Sequence, residues 1–346
     1  MTPATWPRPE PLEDRLLVVD PAMGTYADAR IADLQRLLGR ALLVVNDAAT
    51  QPASLPGRGP RGEPLELRLA GWTGDGEWRA VLFGAGDWRT RTEDRPPPPL
   101  LQPGDVVTLT ADLRAEITSV SPLSPRLVGL RFDAGPESVW SALYRAGRPV
   151  QYSYVERPLP LWRVQTAYGS RPWAVELPSA GRPLTWGLLL GLRAHGARVA
   201  SVTHAAGLSS TGDPALDAAL PLPEAYEIPA ETAAAVRETR AAGERVVAVG
   251  TTVVRALEGA AASGRGELRA GRGTTDLIVD RSFRPRVVDG LLTGLHEPGS
   301  SHFALTTAFA PASLLESAFR HASDAGYLGH EFGDSSLILR DTLARP

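Results

Sequence analysis

The alternation of apolar and polar positions changes character twice along the chain. Residues 15–20 form a short apolar run ending in a turn, residues 31–38 repeat with helical spacing up to Gly39, and residues 41–45 are uninterrupted Ala, Leu and Val before Asn46-Asp47. A short apolar run without alternation marks a strand buried on both faces. Residues 51–61 then break into Pro, Gly and Arg and read as a loop. Beyond them lie short, partly alternating runs at 64–70, 77–83, 105–111, 115–120 and 127–132, parted by Gly, Asp and Pro. This spacing predicts a small antiparallel barrel or sandwich, with the proline run at 96–99 as an exposed connector. After Gly147, helical patterns at 183–193, 230–242, 252–262 and 311–325 alternate with strand patterns at 198–202, 245–249, 275–279, 287–292 and 337–339. The expected fold is an α/β main domain, a mixed or mostly parallel sheet flanked by helices, built from residues 1–55 and 151–346. An inserted all-β, barrel-like domain at residues 56–150 interrupts it.

Length supports that division, because 346 residues exceed what one hydrophobic core usually organises. Composition narrows the chemistry. There is no Cys, which removes disulfides, thiolate-bound metal and cysteine nucleophiles. The 36 basic residues are all Arg and stand against 39 acidic ones, so net charge alone predicts no polyanionic partner. No apolar run approaches the roughly 18 residues of a membrane span, and no secretory h-region opens the chain, so a cytoplasmic protein without membrane contact is expected.

Two motif-like features carry little. Gly57-x-Gly59-x-x-Gly62 has dinucleotide-fingerprint spacing, but it contains Pro60, follows no clear strand and opens no helix. His296 and His302 are spaced wrongly for a helical zinc pair, and Pro298 interrupts the helix that would present them, so no metal is expected. More informative is the strand pattern running into Gly250-Thr251-Thr252 and then a helix with Arg255 and Glu258. A Gly turn with Thr at the cap leaves amides at a helix N-terminus that suit a carboxylate or phosphate; a plain capped helix is the alternative. Two further loops follow strand patterns and hold His204 and His296. Ligands in open α/β sheets bind at the carboxyl ends of strands, so these three loops are expected to ring one cleft.

A series of segments in order along nearly the whole chain resembles the S-adenosylmethionine:tRNA ribosyltransferase-isomerases of queuosine biosynthesis. It includes Arg15-Leu16-Leu17-Val18, Leu42 to Asp47, Gln165-Thr166-Ala167-Tyr168, Pro178-Ser179-Ala180-Gly181, Val202-Thr203-His204 and Glu224-Ala225-Tyr226. It continues with Ala248 to Arg255, Val288-Asp289, His296-Glu297-Pro298 and Phe332-Gly333-Asp334. The resemblance implies an α/β domain carrying an inserted β-barrel. It also implies transfer and isomerisation of the ribosyl group of S-adenosylmethionine onto 7-aminomethyl-7-deazaguanine in tRNA, releasing adenine and methionine and forming epoxyqueuosine. S-adenosylmethionine is then a consumed substrate, and no cofactor is implied.

That chemistry needs a base beside the sulfonium, a proton donor for adenine and a water-poor pocket. By position, His204, Glu224 and His296 are the candidates for acid/base work. Gly250, Thr251, Thr252 and Arg255 are candidates for holding the methionine carboxylate or the acceptor. Gln165, Tyr168, Asn46, Asp47 and Asp334 either orient a ligand or tie loops to the sheet. The chain also departs from the family pattern. Residues 46–54 lack both Arg of the family's Asn-Asp-Thr-Arg-Val-Ile-Pro-Ala-Arg stretch, two family His positions are Pro183 and Leu222, and residues 149–154 replace a proline-rich segment. Two other readings therefore stay open beside the tRNA-directed enzyme: the same sulfonium chemistry on a small-molecule acceptor, and a non-catalytic RNA-binding relative.

Overall fold

A computed structural model describes residues 1–74 and 76–340. The chain forms the hairpin β1 (Arg15–Asp20) and β2 (Thr25–Arg30), the short helix α1 (Leu34–Leu38), β3 (Ala41–Asn46) and β4 (Ala48–Thr50). Six strands follow: β5 (Ser54–Arg58), β6 (Pro64–Gly74), β7 (Glu77–Phe83), β8 (Val106–Thr110), β9 (Leu113–Val120) and β10 (Leu127–Phe132). Helix α2 (Pro136–Ala146) leads back to β11 (Arg171–Ala174), α3 (Trp186–Ala194), β12 (Arg198–His204), α4 (Pro214–Ala218) and β13 (Glu224–Ile228). The remainder is α5 (Ala230–Ala241), β14 (Arg245–Val249), α6 (Thr251–Ser263), β15 (Gly271–Thr275), β16 (Gly290–Gly294), α7 (Ser301–Thr306), α8 (Ala312–Asp324) and β17 (Ser335–Leu339).

Nine strands make one mixed sheet in the order β15-β13-β12-β3-β14-β16-β17-β1-β2. Its centre, β12-β3-β14-β16, is parallel, and antiparallel pairings begin at β13 and β17. All six residues of β3 are buried, as its uninterrupted apolar run predicts for a central strand. The two-residue period of the strand sends Leu42 and Val44 into a core with Val253 and Leu257 of α6, while Leu43 and Val45 pack with Leu188 and Leu192 of α3. The sheet is thus covered by helices on both faces.

The six strands β5 to β10 close into a barrel, ordered β10-β7-β6-β5-β8-β9. Helix α2 packs Val139, Ala142 and Leu143 into the barrel's own core. Within this domain Glu66 is buried between two guanidinium groups, accepting from Arg68 Nε at 2.6 Å and Arg95 Nη1 at 2.6 Å.

Several elements differ from the pattern-based expectation. The stretch 51–61 holds β5, which pairs with β6 from Ser54↔Arg68 to Arg58↔Pro64. Its Gly57 is a packing requirement, because a Cβ there would lie 2.9 Å from Leu109 Cδ2. The helical pattern at 31–38 resolves into a 3₁₀ turn, Ile31–Asp33, followed by α1. The strands expected at 275–279 and 287–292 lie instead at β15 and β16, and the helix expected from 183 starts at Trp186, where Thr185 caps the amide of Leu188 at 3.2 Å.

Removing the charge of Glu66 leaves two buried cations without a counter-ion, which typically costs about 3–5 kcal/mol. Glu66→Gln is therefore expected to lower the urea midpoint of the barrel markedly. An unchanged midpoint would mean that Glu66 does not hold the barrel together.

Candidate active site

The carboxyl ends of β12, β3, β14 and β16 meet at one edge of the sheet, and β13 and β17 begin at that same edge. A cavity of about 410 Å³ opens there, a size suited to a small-molecule substrate. Strand β14 enters it through Gly250 at φ 88°, a left-handed backbone that glycine adopts without strain. Helix α6 begins at once, and among the described residues no side chain caps its first amides. Gly250, Thr251 and Thr252 line the cavity, so the positive end of a 13-residue helix is offered to an anionic group.

One turn along α6, Arg255 is buried and donates to the carbonyls of Leu277 at 3.1 Å and Thr275 at 3.3 Å. Its Nη1 forms a close ion pair with Glu224 Oε2. Burial lowers the Arg255 pKa to about 10, which leaves the group charged at neutral pH. The other carboxylate oxygen of Glu224 accepts from the Gly207 amide at 2.6 Å. A Cβ on Gly207 would sit 2.9 Å from that oxygen, so only glycine lets the loop after β12 close on the carboxylate. Glu224, a cavity-lining residue, is therefore a fixed negative charge held from two sides.

His204 lies immediately behind it. Its ring is fully buried, and Nε2 is 3.5 Å from Glu224 Oε2. Burial, with Arg255 adding to it, lowers the His204 pKa to about 3. The ring is neutral and, among the described residues, neither nitrogen has a hydrogen-bond partner, so the contact with Glu224 is no ion pair. Asn46 fixes the residue by its main chain, accepting from His204 N at 2.9 Å and donating to His204 O at 3.0 Å.

His296 comes from the loop after β16 and lines the cavity. Its Nε2 is 2.9 Å from Thr293 Oγ1, and its ring stacks on His302 with centroids 5.1 Å apart. Burial, then the neighbouring His302 and His330, push its pKa well below 6.5, so this imidazole is also neutral at physiological pH.

The structure thus gathers Glu224, Gly250, Thr251, Thr252, Arg255 and His296 around one cavity, with His204 and Asn46 directly behind. The other candidates lie outside it. Gln165 pairs both ends of its amide with the Thr50 backbone, each at 2.9 Å. Asp47 accepts from Thr203 Oγ1 at 2.6 Å and Ser201 Oγ at 3.1 Å. Tyr168 is packed against Gly181, and burial raises its pKa. Asp334 is a buried knot that binds Arg8 and takes the Arg15 and Leu328 amides at 2.8 Å each. Gln165, Asp47 and Asp334 thereby tie loops to the sheet, while the buried Tyr168 hydroxyl has no hydrogen-bond partner among the described residues. The cavity is also lined by Glu176, Ser209, His330 and Glu331, which no sequence motif marked, and by His302, which the sequence offered only as half of an unsuitable zinc pair. The carboxyls stand in loops with no local pattern, while His302 carried a usable signal in its closeness to His296.

The buried neutral state of His204 has a stability consequence. Its unfolded-state pKa is near 6.5 and its folded value about 3. Only the unfolded chain takes up the proton between them, so stability falls as pH drops below about 6.5, by on the order of 5 kcal/mol at the acid limit. In chemical denaturation, His204→Gln is expected to flatten the decline between about pH 6.5 and 4. A slope identical to wild type would show that His204 does not drive the acid limb.

A family model described as queuosine biosynthesis protein matches residues 2–338. The S-adenosylmethionine:tRNA ribosyltransferase-isomerase of Sorangium cellulosum is 38% identical over 347 residues, an alignment that covers 94% of this chain and 91% of the relative. The protein of that name from Trichlorobacter lovleyi is 34% identical over 332 residues, covering 94% and 92%. The one from Thermus thermophilus is 36% identical over 323 residues, covering 90% and 88%. The crystal structure of S-adenosylmethionine tRNA ribosyltransferase from Thermotoga maritima superposes with a TM-score of 0.52 at 24% identity, covering 97% of this chain and 96% of that one, and it bears on the fold alone. With the family model spanning nearly the whole chain and relatives at 34–38% identity, this protein belongs to the queuosine biosynthesis protein family.

Proposed function

We propose that the chain is an S-adenosylmethionine:tRNA ribosyltransferase-isomerase, moving the ribosyl group of S-adenosylmethionine onto 7-aminomethyl-7-deazaguanine in tRNA and forming epoxyqueuosine, with adenine and methionine released. The observation that carries this reading is the pairing of an open helix N-terminus with a fixed carboxylate across one cavity. S-adenosylmethionine brings a carboxylate and a sulfonium cation in the same molecule. The α6 amides at Thr251 and Thr252 suit the former, and Glu224 suits the latter.

In this reading Arg255 keeps Glu224 ionised and in place, so the site meets the cationic substrate without reorganising. Leu277, Val279 and Leu295 in the cavity wall keep the sulfonium away from bulk water. His296, neutral and braced by Thr293, is our assignment for the group that accepts the proton next to the sulfonium. His204 and Asn46 form the support beneath Glu224. S-adenosylmethionine is consumed as a substrate, and the reading requires no separate cofactor. No helix among the described residues is long and apolar enough to cross a membrane, and we read the protein as cytoplasmic, where its tRNA is found. The small-molecule acceptor and the non-catalytic RNA-binding relative have less support, because the reported relatives carry the tRNA-directed activity in their names.

The test is to incubate the purified protein with S-adenosylmethionine and follow adenine and methionine by mass spectrometry, with and without tRNA bearing the aminomethyl-deazaguanine. Release that depends on this tRNA is expected, and Glu224→Gln should slow it by about 10²-fold or more. Release that ignores the tRNA would assign another acceptor, and tRNA binding without release would assign a binding protein.

A further inference from the structure

Expelling adenine requires a proton for the departing base, and this requirement rests on the functional reading above. In the resting site the residues already placed at the cavity supply none at neutral pH. His296 and His302 are held neutral by burial, and His204 is neutral until far into the acid range. Arg255 is committed to two carbonyls and to Glu224. The threonines of α6 are far too weak as acids.

On another part of the wall, the turn between α8 and β17 presents Glu331, which lines the cavity beside His330. A second, small cavity is also lined by Glu331, Glu176 and Leu177, together with Tyr152 and Tyr154, so the two carboxyls stand on the partition between the cavities. The tyrosines, stacked with centroids 6.1 Å apart, come from the segment that follows the barrel, and each binds one carboxyl: Tyr152 on Glu176, Tyr154 on Glu331.

The two acids are not equivalent. Burial raises the pKa of Glu176 as well, but it accepts from the Tyr152 hydroxyl and from the Ser209 amide at 3.0 Å, donors that favour the carboxylate and oppose that rise. Among the described residues, Glu331 meets only the Tyr154 hydroxyl and its own backbone amide. Burial raises its pKa to about 7, in the range where a carboxyl can both hold and release a proton at physiological pH.

We infer that Glu331 is the proton donor to the leaving nucleobase, with Tyr154 as the positioning residue that aims its carboxyl. When the bond between the sugar and the purine nitrogen breaks, its electron pair stays on the purine. The Glu331 proton moves to the purine ring, and neutral adenine departs. The resulting carboxylate regains the proton that the acceptor amine sheds after attacking the sugar carbon, so the step is balanced without a further reactant. The groups that share this corner and can influence its titration are Tyr154, His330, Glu176, His296 and the Met1 amino group paired with Glu297 at 3.1 Å.

Wild type, Glu331→Gln and Tyr154→Phe are compared for adenine release on the tRNA acceptor across pH, with S-adenosylmethionine affinity measured in parallel by calorimetry. Glu331→Gln is expected to slow release by about 10²–10⁴-fold, to bind S-adenosylmethionine as wild type does, and to lose the fall in kcat on the alkaline side of neutrality. Tyr154→Phe, which removes a donor to the carboxylate, should keep that fall and move it to higher pH. A Glu331→Gln protein that releases adenine within about fivefold of wild type, or that keeps the alkaline fall, would overturn the inference while the functional reading stands. A wild-type protein that releases no adenine at all would overturn both.

Discussion

The buried ion pair between Arg255 and Glu224 is the interaction on which the site depends. It joins α6 to the first residue of β13, and the same guanidinium reaches the carbonyls of Thr275, at the end of β15, and of Leu277 just beyond it. Gly207, from the loop after β12, closes on the far side of the carboxylate. Four chain segments that are distant in sequence are thereby held around one negative charge. Removing either partner of such a pair leaves the other buried without compensation, so the arrangement is all or nothing. That rigidity is what a cationic substrate needs from a site that must favour charge changes without moving.

The main features of the fold were legible because they rest on periodicity. The buried run at β3 and the alternating runs from 64 to 132 are local signals, and they locate the central sheet and the barrel. Strand β5 was not legible, since Pro56 and Gly57 carry the composition of a loop while tertiary pairing makes them a strand; Gly57 is there for the sake of Leu109. Strand β13 escaped and β15 was displaced for a related reason, because Pro221 and Pro223 precede the one, Gly271 and Gly273 lie in the other, and the two pair with each other.

The site was legible in part. Gly250-Thr251-Thr252 announces a helix N-terminus from sequence, and the loops bearing His204 and His296 converge as strand-end loops in an α/β sheet do. What sequence could not show is depth. His204 sits behind Glu224 with its ring fully buried, and Asp334, Gln165 and Asp47 spend their hydrogen bonds on backbone and neighbouring side chains. Glu176 and Glu331 acquire their chemistry from burial beside Tyr152 and Tyr154, a property of the assembled wall alone. The segment that supplies those tyrosines, residues 149–154, is also one of the places where the chain departs from the family's pattern.

The central claim is that the cavity orients S-adenosylmethionine by its two charges. It is tested most directly by a crystal structure with a non-cleavable analogue that carries an amine in place of the sulfonium. The account predicts the amino-acid carboxylate about 3 Å from the amides of Thr251 and Thr252, with the cationic centre facing Glu224. An analogue bound in the reverse direction, with its carboxylate away from α6 and its cationic centre remote from Glu224, would contradict it.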